Sequence, residues 1–496
     1  MVLVAAGTVY GISCAPGALW QDSGLIQYRL WHGDIQGFLG LAISHPLYYI
    51  LATGAKYLPF GQFGHRVNLF SALAGAVAVA NLYLLVRLWS GRNFAAVIAA
   101  VTLAVSHTFW RHASIAETYT LWTALFLAEL IVLLQYARTE RAKYLYGLGL
   151  LNGLAVAVHM LACIPLACYF VLVIVLLARK TIRAREAGLV ALLWIAGALP
   201  FEYLIVREMI HSGDVLGTLA SAAFGDRWQA DVLNTTLSWQ IAKENALYLL
   251  LNSPTPNMLL FFAGCVALFK TQSMHLLRNL VVALMLLFFA FAFRYTVSDR
   301  YAFFIPFYAL ASAVVGMGAC AVQQRVRHKA LLAVIAGFAL LPIAVYTAIP
   351  RLAARTDLTI GTRADLAYRD DYVFFLQPWK TGYRGAERYA FEVLATAATD
   401  AVIYADITAI APLLYAQEVQ GKRPDVRILG IVRSEGAPPC TAEAFASCIG
   451  NRPVYVTSNR PGYAPTFILG KHDLIKSGLL WQVVKPSPSA NQILDR

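Results

Sequence analysis

Apolar stretches of about 17 to 25 residues recur along the first 350 positions of this chain, and each is long enough as a helix to cross a hydrocarbon core of roughly 30 Å. They fall near 1–16, 67–86, 93–110, 117–137, 144–158, 160–178, 187–206, 256–270, 279–297, 300–322 and 330–349. Lipid offers no water to backbone N–H and C=O groups, so such stretches must be helices packed on one another. With 59% hydrophobic and only 14% charged residues over 496 positions, and a mean hydropathy of +0.60, the chain lies outside the range of water-soluble globular proteins. The expected fold class is an α-helical polytopic membrane protein of about eleven transmembrane helices. The first stretch is short for a span and has no basic residue before it. It reads as a short helix or part of a longer one, and the missing positive n-region argues against a cleaved signal peptide.

The connections sort by charge. Arg87 and Arg92, then Arg138, Arg141 and Lys143, then Arg179, Lys180, Arg183 and Arg185, then Lys270 and Arg278, then Arg325, Arg327 and Lys329 occupy alternate loops. The positive-inside rule places these in the cytoplasm. The N-terminus is then inside, and residues 17–66, 111–116, 207–255, the turn near Ser298 and everything after Pro350 face outward. A bacterial inner membrane is the expected location. The same loop bias accounts for most of the net charge of +13, so no nucleic-acid partner is expected.

Past Pro350 charge, Pro and Gly return. Short β-branched runs at 401–407, 425–432 and 452–459 alternate with helical patterns at 385–397 and 409–420. This predicts a small, mainly parallel α/β domain over 351–496, extracytoplasmic, following a membrane domain over 1–350 whose first outward loop is 17–66. No glycine-rich nucleotide fingerprint follows any of the strands. Cys440 and Cys448 are the only two cysteines of the C-terminal region. That region is expected on the oxidising side, so they are expected to pair.

Acids beside lipid are costly, so their positions are functional candidates. Asp22, Asp34, Glu117, Glu202, Glu208 and Asp299 fall at the expected outer face. The first loop reads as one or two interfacial helices, with Leu25, Tyr28, Trp31, Ile35, Phe38 and Leu39 on an apolar face. Asp22 and Arg29 are seven apart and share a face, whereas Asp34 is about 120° from Asp22, so spacing alone supports no paired carboxylates. The plain alternative for Asp22 is a helix cap. For Arg111, Arg294 and Arg300 the alternatives are a grip on a lipid phosphate or ordinary snorkelling. His45 before Pro46 reads as a turn, His112 as an interfacial side chain, and His159 as a phosphate donor or a polar hinge. Glu117 is either an ion-pair partner of Arg111 or a substrate group.

Four segments change these weights: "DSG" at 22–24, "SHPLYYIL" at 44–51, "RVNLFSAL" at 66–73 and "SHTFWRHASIAETYTL" at 106–121. In this order and spacing they resemble the multi-spanning domain-of-unknown-function 2723 family, within the GT-C glycosyltransferase superfamily, whose members include a protein O-mannosyltransferase. The resemblance covers the first half of the chain well, and "DDYVFFLQPW" onward more loosely. It implies an enzyme that takes a sugar from a polyprenyl-phosphate carrier in the membrane lipid and passes it to a hydroxyl acceptor of unknown class. Matched residue by residue, Asp22 is the implied catalytic base. Arg29, Asp34, His45, Arg111, His112, Glu117, His159, Asp299 and Arg300 fall in the implied substrate region, with Arg111, His112 or Arg300 at the phosphate. The family pattern has an acid directly after "DSG" and a longer "HPPGYP" motif, where this chain has Leu25 and "HPLYYI". No metal ligand set is identified and no cofactor is certain, with a divalent cation left open. The competing functions are a transporter of lipid-linked sugars, for which mid-membrane acids in two related halves are expected, and an inactive scaffold with an acceptor-binding cap.

Overall fold

The computed structural model describes residues 1–270, 274–297, 299–325, 328–356, 366–430 and 441–486. Three short helices come first, α1 (Val2–Ser13), α2 (Gln21–His32) and α3 (Pro46–Ala52). A bundle follows through α4 (Phe63–Ser90), α5 (Asn93–Ala104), α6 (His107–Ala113), α7 (Tyr119–Thr139), α8 (Ala142–Val158), α9 (Cys163–Ala178) and α10 (Ala184–Ser212). The arm α11 (Val215–Phe224), α12 (Gln229–Leu233) and α13 (Trp239–Asn252) leads to α14 (Leu259–Lys270), α15 (His275–Arg294), α16 (Ile305–Arg325) and α17 (Lys329–Ala353). Each of the eleven apolar stretches is helical. Among the described residues, however, seven helices are long and apolar enough to cross a membrane, or nine if two bent pairs each count once. The difference lies in α1 and α8, of 12 and 17 residues, and in bends of 70° between α5 and α6 and 109° between α13 and α14. Pro254 and Pro256 stand at the second bend, where the missing N–H and the ring prevent helix continuation.

Helices inside lipid gain little from apolar contact alone and pack closest through small residues. On α8 and α10, a Cβ on Gly153 would overlap the Trp194 carbonyl, and one on Gly197 the Leu150 carbonyl. On α14 and α16, Gly264 and Gly318 stand equally close to the carbonyls of Val314 and Leu260. Gly153→Leu and Gly318→Leu are each expected to abolish monodisperse protein in size-exclusion chromatography. Gly188→Leu, at a position with open space around it, should elute like the parent. A fully buried acid also ties this half together. Glu129 of α7 accepts hydrogen bonds from Asn152 Nδ2 (3.3 Å) and Tyr169 Oη (3.0 Å), and Trp194 Nε1 donates to Asn152 Oδ1 (3.1 Å). Four helices thereby share one satisfied polar network.

The C-terminal part comprises α18 (Asp371–Leu376), α19 (Gly385–Thr396), β1 (Val402–Ala405), α20 (Ile410–Leu414), β2 (Arg427–Gly430), α21 (Ala442–Cys448), β3 (Val454–Val456), β4 (Asp473–Ser477) and β5 (Leu480–Val484). The sheet order is β2-β1-β3-β5-β4. β1 pairs in parallel with β2 and β3, while β5 is antiparallel to both β3 and β4. The sheet is therefore mixed, a correction to the mainly parallel expectation. The β4–β5 hairpin turns at Gly478, whose φ of 56° suits glycine.

The first loop also departs from expectation. Ser23 to Leu30 are all buried, so α2 has no lipid-facing side. It lies between the bundle and the C-terminal part. Gln27 Nε2 donates to the carbonyls of Gly17 and Gly64 and to Asn68 Oδ1, at 3.1 to 3.2 Å. On the opposite side Tyr28 Oη donates to Glu418 (2.9 Å), His32 faces the same carboxylate, and a Cβ on Gly24 would meet the Ala411 side chain of α20 at 2.8 Å. A helix apolar on several faces is a buried helix.

Candidate active site

Three acids from distant parts of the chain, Asp22, Glu117 and Asp299, come within electrostatic reach of one another around the start of α2. Trp20 occupies the cap position and Asp22 falls in the first turn, so Asp22 does not cap the helix. The entry is strained. Gln21 has a φ of 51°, uncommon for a residue with a Cβ, and its Oε1 accepts from Arg369 Nη2 at 3.3 Å. Beside it, Ser23 Oγ donates to Glu117 Oε1 at 3.1 Å. Glu117 is fixed in turn by its backbone, whose N–H and C=O both bond to Ser71 Oγ at 3.1 Å. The Asp22 carboxyl is pushed up to about 6, by desolvation first and then by the negative charge of Asp299. Glu117 is pushed up to about 8, by desolvation, then Asp22 and then Asp299. Desolvation also raises Asp299. Asp22 and Asp299 nevertheless keep substantial accessible surface. Exposure combined with desolvation describes groups that line a recess, wet on one side and walled by protein on the others.

Opposite charge stands nearby without neutralising the acids. Arg111 is buried at 7% exposure, and its Nε and Nη1 have no hydrogen-bond partner among the described residues. The guanidinium is held by rings, with its carbon 4.9 Å from the Phe374 centroid, 5.6 Å from Phe375 and 5.9 Å from Tyr301. Of the two alternatives for Glu117, the ion pair with Arg111 does not form among the described residues. Arg369 and Lys380 approach the same Phe374 ring, at 5.0 and 5.4 Å. Arg369 pairs with Asp371 at 2.8 Å, and Lys380 Nζ caps the carbonyls of Gln377, Pro378 and Trp379. Burial and the nearby Arg111 charge lower the Lys380 ammonium well below its ordinary value. Three cations thus surround one phenyl ring with a single paired acid. A buried, unpaired guanidinium is expensive unless an anion joins it.

A wall of rings leads away from the acids. His112 contacts Tyr301 (5.8 Å) and Tyr119 (5.1 Å), Tyr119 contacts His159 (4.9 Å), and His159 stacks on His45 (4.9 Å, 28°). His112 Nδ1 is bonded to the Thr108 carbonyl at 2.7 Å. Asp22, Glu117 and Asp299 therefore share one electrostatic environment with Arg111 and His112, and the ring wall runs on from His112 to His159 and His45.

The remaining expected residues lie elsewhere. Asp34 accepts from the N–H groups of Gln36 and Gly37 in a turn and stands 3.8 Å from Arg29. Arg29 sits over the Tyr49 ring at 3.9 Å and donates to the Ser44 carbonyl, so it braces the loop behind His45. Arg300 is turned away to Glu244 and Asn245 of α13. Cys448 is buried in α21, and Cys440 lies outside the described residues, so the expected disulfide does too. Residues that sequence reasoning missed are Ser23, Tyr119, Tyr301, Arg369, Asp371 and Lys380. The "RDDYVFFLQPWK" run was the one signal for the last three, because its arginine, two acids and lysine stand around a Phe-Phe pair. Among the described residues, no three His, Cys, Asp or Glu side chains stand together as a metal site.

Residues 41–183 match the family described as the protein O-mannosyl-transferase TMEM260 N-terminal domain. A mouse relative, protein O-mannosyl-transferase TMEM260, is 31% identical over 179 residues, which are 34% of this chain and 25% of the relative. The chain thus matches about a quarter of that relative's length. These matches include His45, Arg111, His112, Glu117 and His159 in the family region, while Asp22 and Asp299 lie outside it. Over the whole chain the fold is similar to that of ArnT from Cupriavidus metallidurans. The structure bound to undecaprenyl phosphate and the apo structure each give a TM-score of 0.61 at 13% identity, covering 98% of both chains. The shared architecture is a bundle of apolar, membrane-length helices followed by a small C-terminal sheet.

Proposed function

We propose that this chain is a membrane glycosyltransferase that moves a sugar from a polyprenyl-phosphate donor to an acceptor hydroxyl at the membrane face where α2 lies. The observation that carries this reading is the buried Arg111 guanidinium, unpaired among the described residues, beside an accessible but desolvated acid. The names of the mouse relative and of the ArnT structure bound to undecaprenyl phosphate support the same chemistry. Asp22 would take the proton of the acceptor hydroxyl as that oxygen attacks the anomeric carbon from the side opposite the phosphate, inverting the centre. The departing phosphate gains charge, and Arg111, with Arg369 and Lys380 behind it, would meet that charge without reorganising. Glu117, hydrogen-bonded to Ser23, would supply the second acid that Leu25 does not. We assign the outward side to α2 and residues 351–496, in a bacterial inner membrane, on the strength of the basic loops at the other ends of the helices.

Incubating the purified chain in liposomes with undecaprenyl-phosphate mannose and assaying free undecaprenyl phosphate and mannosylated acceptor tests the reading, which fails if neither forms with a panel of hexose donors. The pH profile carries a further expectation. A base must be unprotonated to act, so the rate should rise with pH through about 6 as Asp22 loses its proton. It should fall through about 8, where Glu117 ionises and adds a negative charge beside both Asp22 and the leaving phosphate. An acid limb at the ordinary carboxylate value near ~4 would remove Asp22 as the desolvated base.

A further inference from the structure

The stacked rings of His45 and His159 do more than fill space. His45 Nδ1 lies 2.8 Å from the Val158 carbonyl, which can only accept, so the proton is on Nδ1 and Nε2 carries a lone pair. His159 Nδ1 accepts from the Leu161 N–H at 3.1 Å, so a neutral His159 carries its proton on Nε2. The backbone of one turn therefore fixes opposite tautomers in two rings 4.9 Å apart. Neither Nε2 has a protein partner among the described residues, and neither is fully enclosed. Burial, then the Arg29 charge, holds His45 down to about 4, and burial and His45 hold His159 lower still, so both stay neutral.

A second observation is independent of the ring contacts. His45 has a φ of 54° immediately before Pro46, a left-handed conformation unusual for histidine and disfavoured before proline. Such strain persists where the surroundings require it and clusters at functional sites. The pair is one ring, Tyr119, from His112, and Tyr119 lies within electrostatic reach of both Asp299 and Glu117.

We propose that His45 and His159 form a specificity pair that reads two neighbouring hydroxyls of the transferred sugar, His45 Nε2 accepting from one and His159 Nε2–H donating to the other. The pair suits a neutral polyhydroxyl sugar. A cationic amino group would meet the Arg29 charge behind His45.

This inference rests on the transferase reading, and the test separates the two. The parent chain in liposomes is given undecaprenyl-phosphate mannose and its monodeoxy analogues. At least one analogue is expected to lose about 100-fold or more in kcat/KM, because a site built to bond a hydroxyl leaves its partner unpaired without it. In His45→Phe and His159→Phe, which keep the ring stack, that discrimination should fall to within a few fold. Gln variants, which restore an acceptor or a donor at the same reach, should recover part of it. Parent turnover with all deoxy donors equal overturns the hydroxyl pair alone, as does full discrimination in both Phe variants. No turnover of any donor removes the transferase reading and the pair with it. If the Phe variants fail to fold in size-exclusion chromatography, the parent series and the Gln variants decide.

Discussion

Asp22→Asn is expected to lower sugar transfer by about 10³-fold, within the range that a positioned general base contributes, while the protein stays folded. The structure gives reasons for both halves. The Asp22 carboxyl caps nothing and makes no hydrogen bond to the described protein, so an amide of the same shape costs no contact. It also removes a desolvated negative charge from beside Asp299. Release of undecaprenyl phosphate in liposomes measures the first half, and the thermal midpoint of the purified protein the second. Asp34→Asn is the matched control, since an Asn oxygen can still accept from Gln36 and Gly37. Asp22→Asn transferring within tenfold of the parent would end the base assignment.

Arg111→Met should separate activity from stability. The guanidinium is buried among Phe374, Phe375 and Tyr301 with two nitrogens unbonded among the described residues, so without its anion it is a cost to the fold. An apolar side chain of similar length should leave the thermal midpoint equal or higher. Transfer should fall by about 10² to 10³-fold, the usual loss when one charge-stabilising donor is removed. Added undecaprenyl phosphate should raise the midpoint of the parent and not of the variant, because a ligand stabilises only the form that binds it. A parent midpoint that ignores undecaprenyl phosphate would separate Arg111 from the phosphate.

The helical architecture is legible in the sequence because span length and hydropathy are local properties, read without knowing which helix touches which. Asp22, Arg111 and Glu117 are legible for the same reason, as rare polar residues flanking apolar runs. What is hidden depends on contacts across the chain. The angle between Asp22 and Asp34 along one helix excludes a carboxylate pair within the first loop, yet the second acid is Glu117, held by Ser23 from 94 residues further along the chain. Glu129 escapes because attention to the outer face passes over an acid whose donors, Asn152 and Tyr169, sit on two other helices. Arg300 misleads in the opposite way. It adjoins Asp299 in sequence, but Glu244 captures its guanidinium from α13. The mixed sheet is missed because β4 and β5 are half-exposed, with Asp473, Lys476 and Gln482 interrupting the apolar pattern that marks β1 and β3.

The enclosure of α2 has a consequence for how the protein is made. Its bundle partners Gly64 and Asn68 emerge from the ribosome soon after it, but Ala411 and Glu418, which close its other side, follow roughly 390 residues later. At about 5 to 20 residues per second, that interval is on the order of 20 to 80 seconds. Throughout it, the helix bearing Asp22 has one face seated and the other bare. Synthesis thus leaves the acid-bearing helix half-assembled until the last quarter of the chain has been made, so a message truncated before that quarter would yield a helical bundle with an unfinished centre.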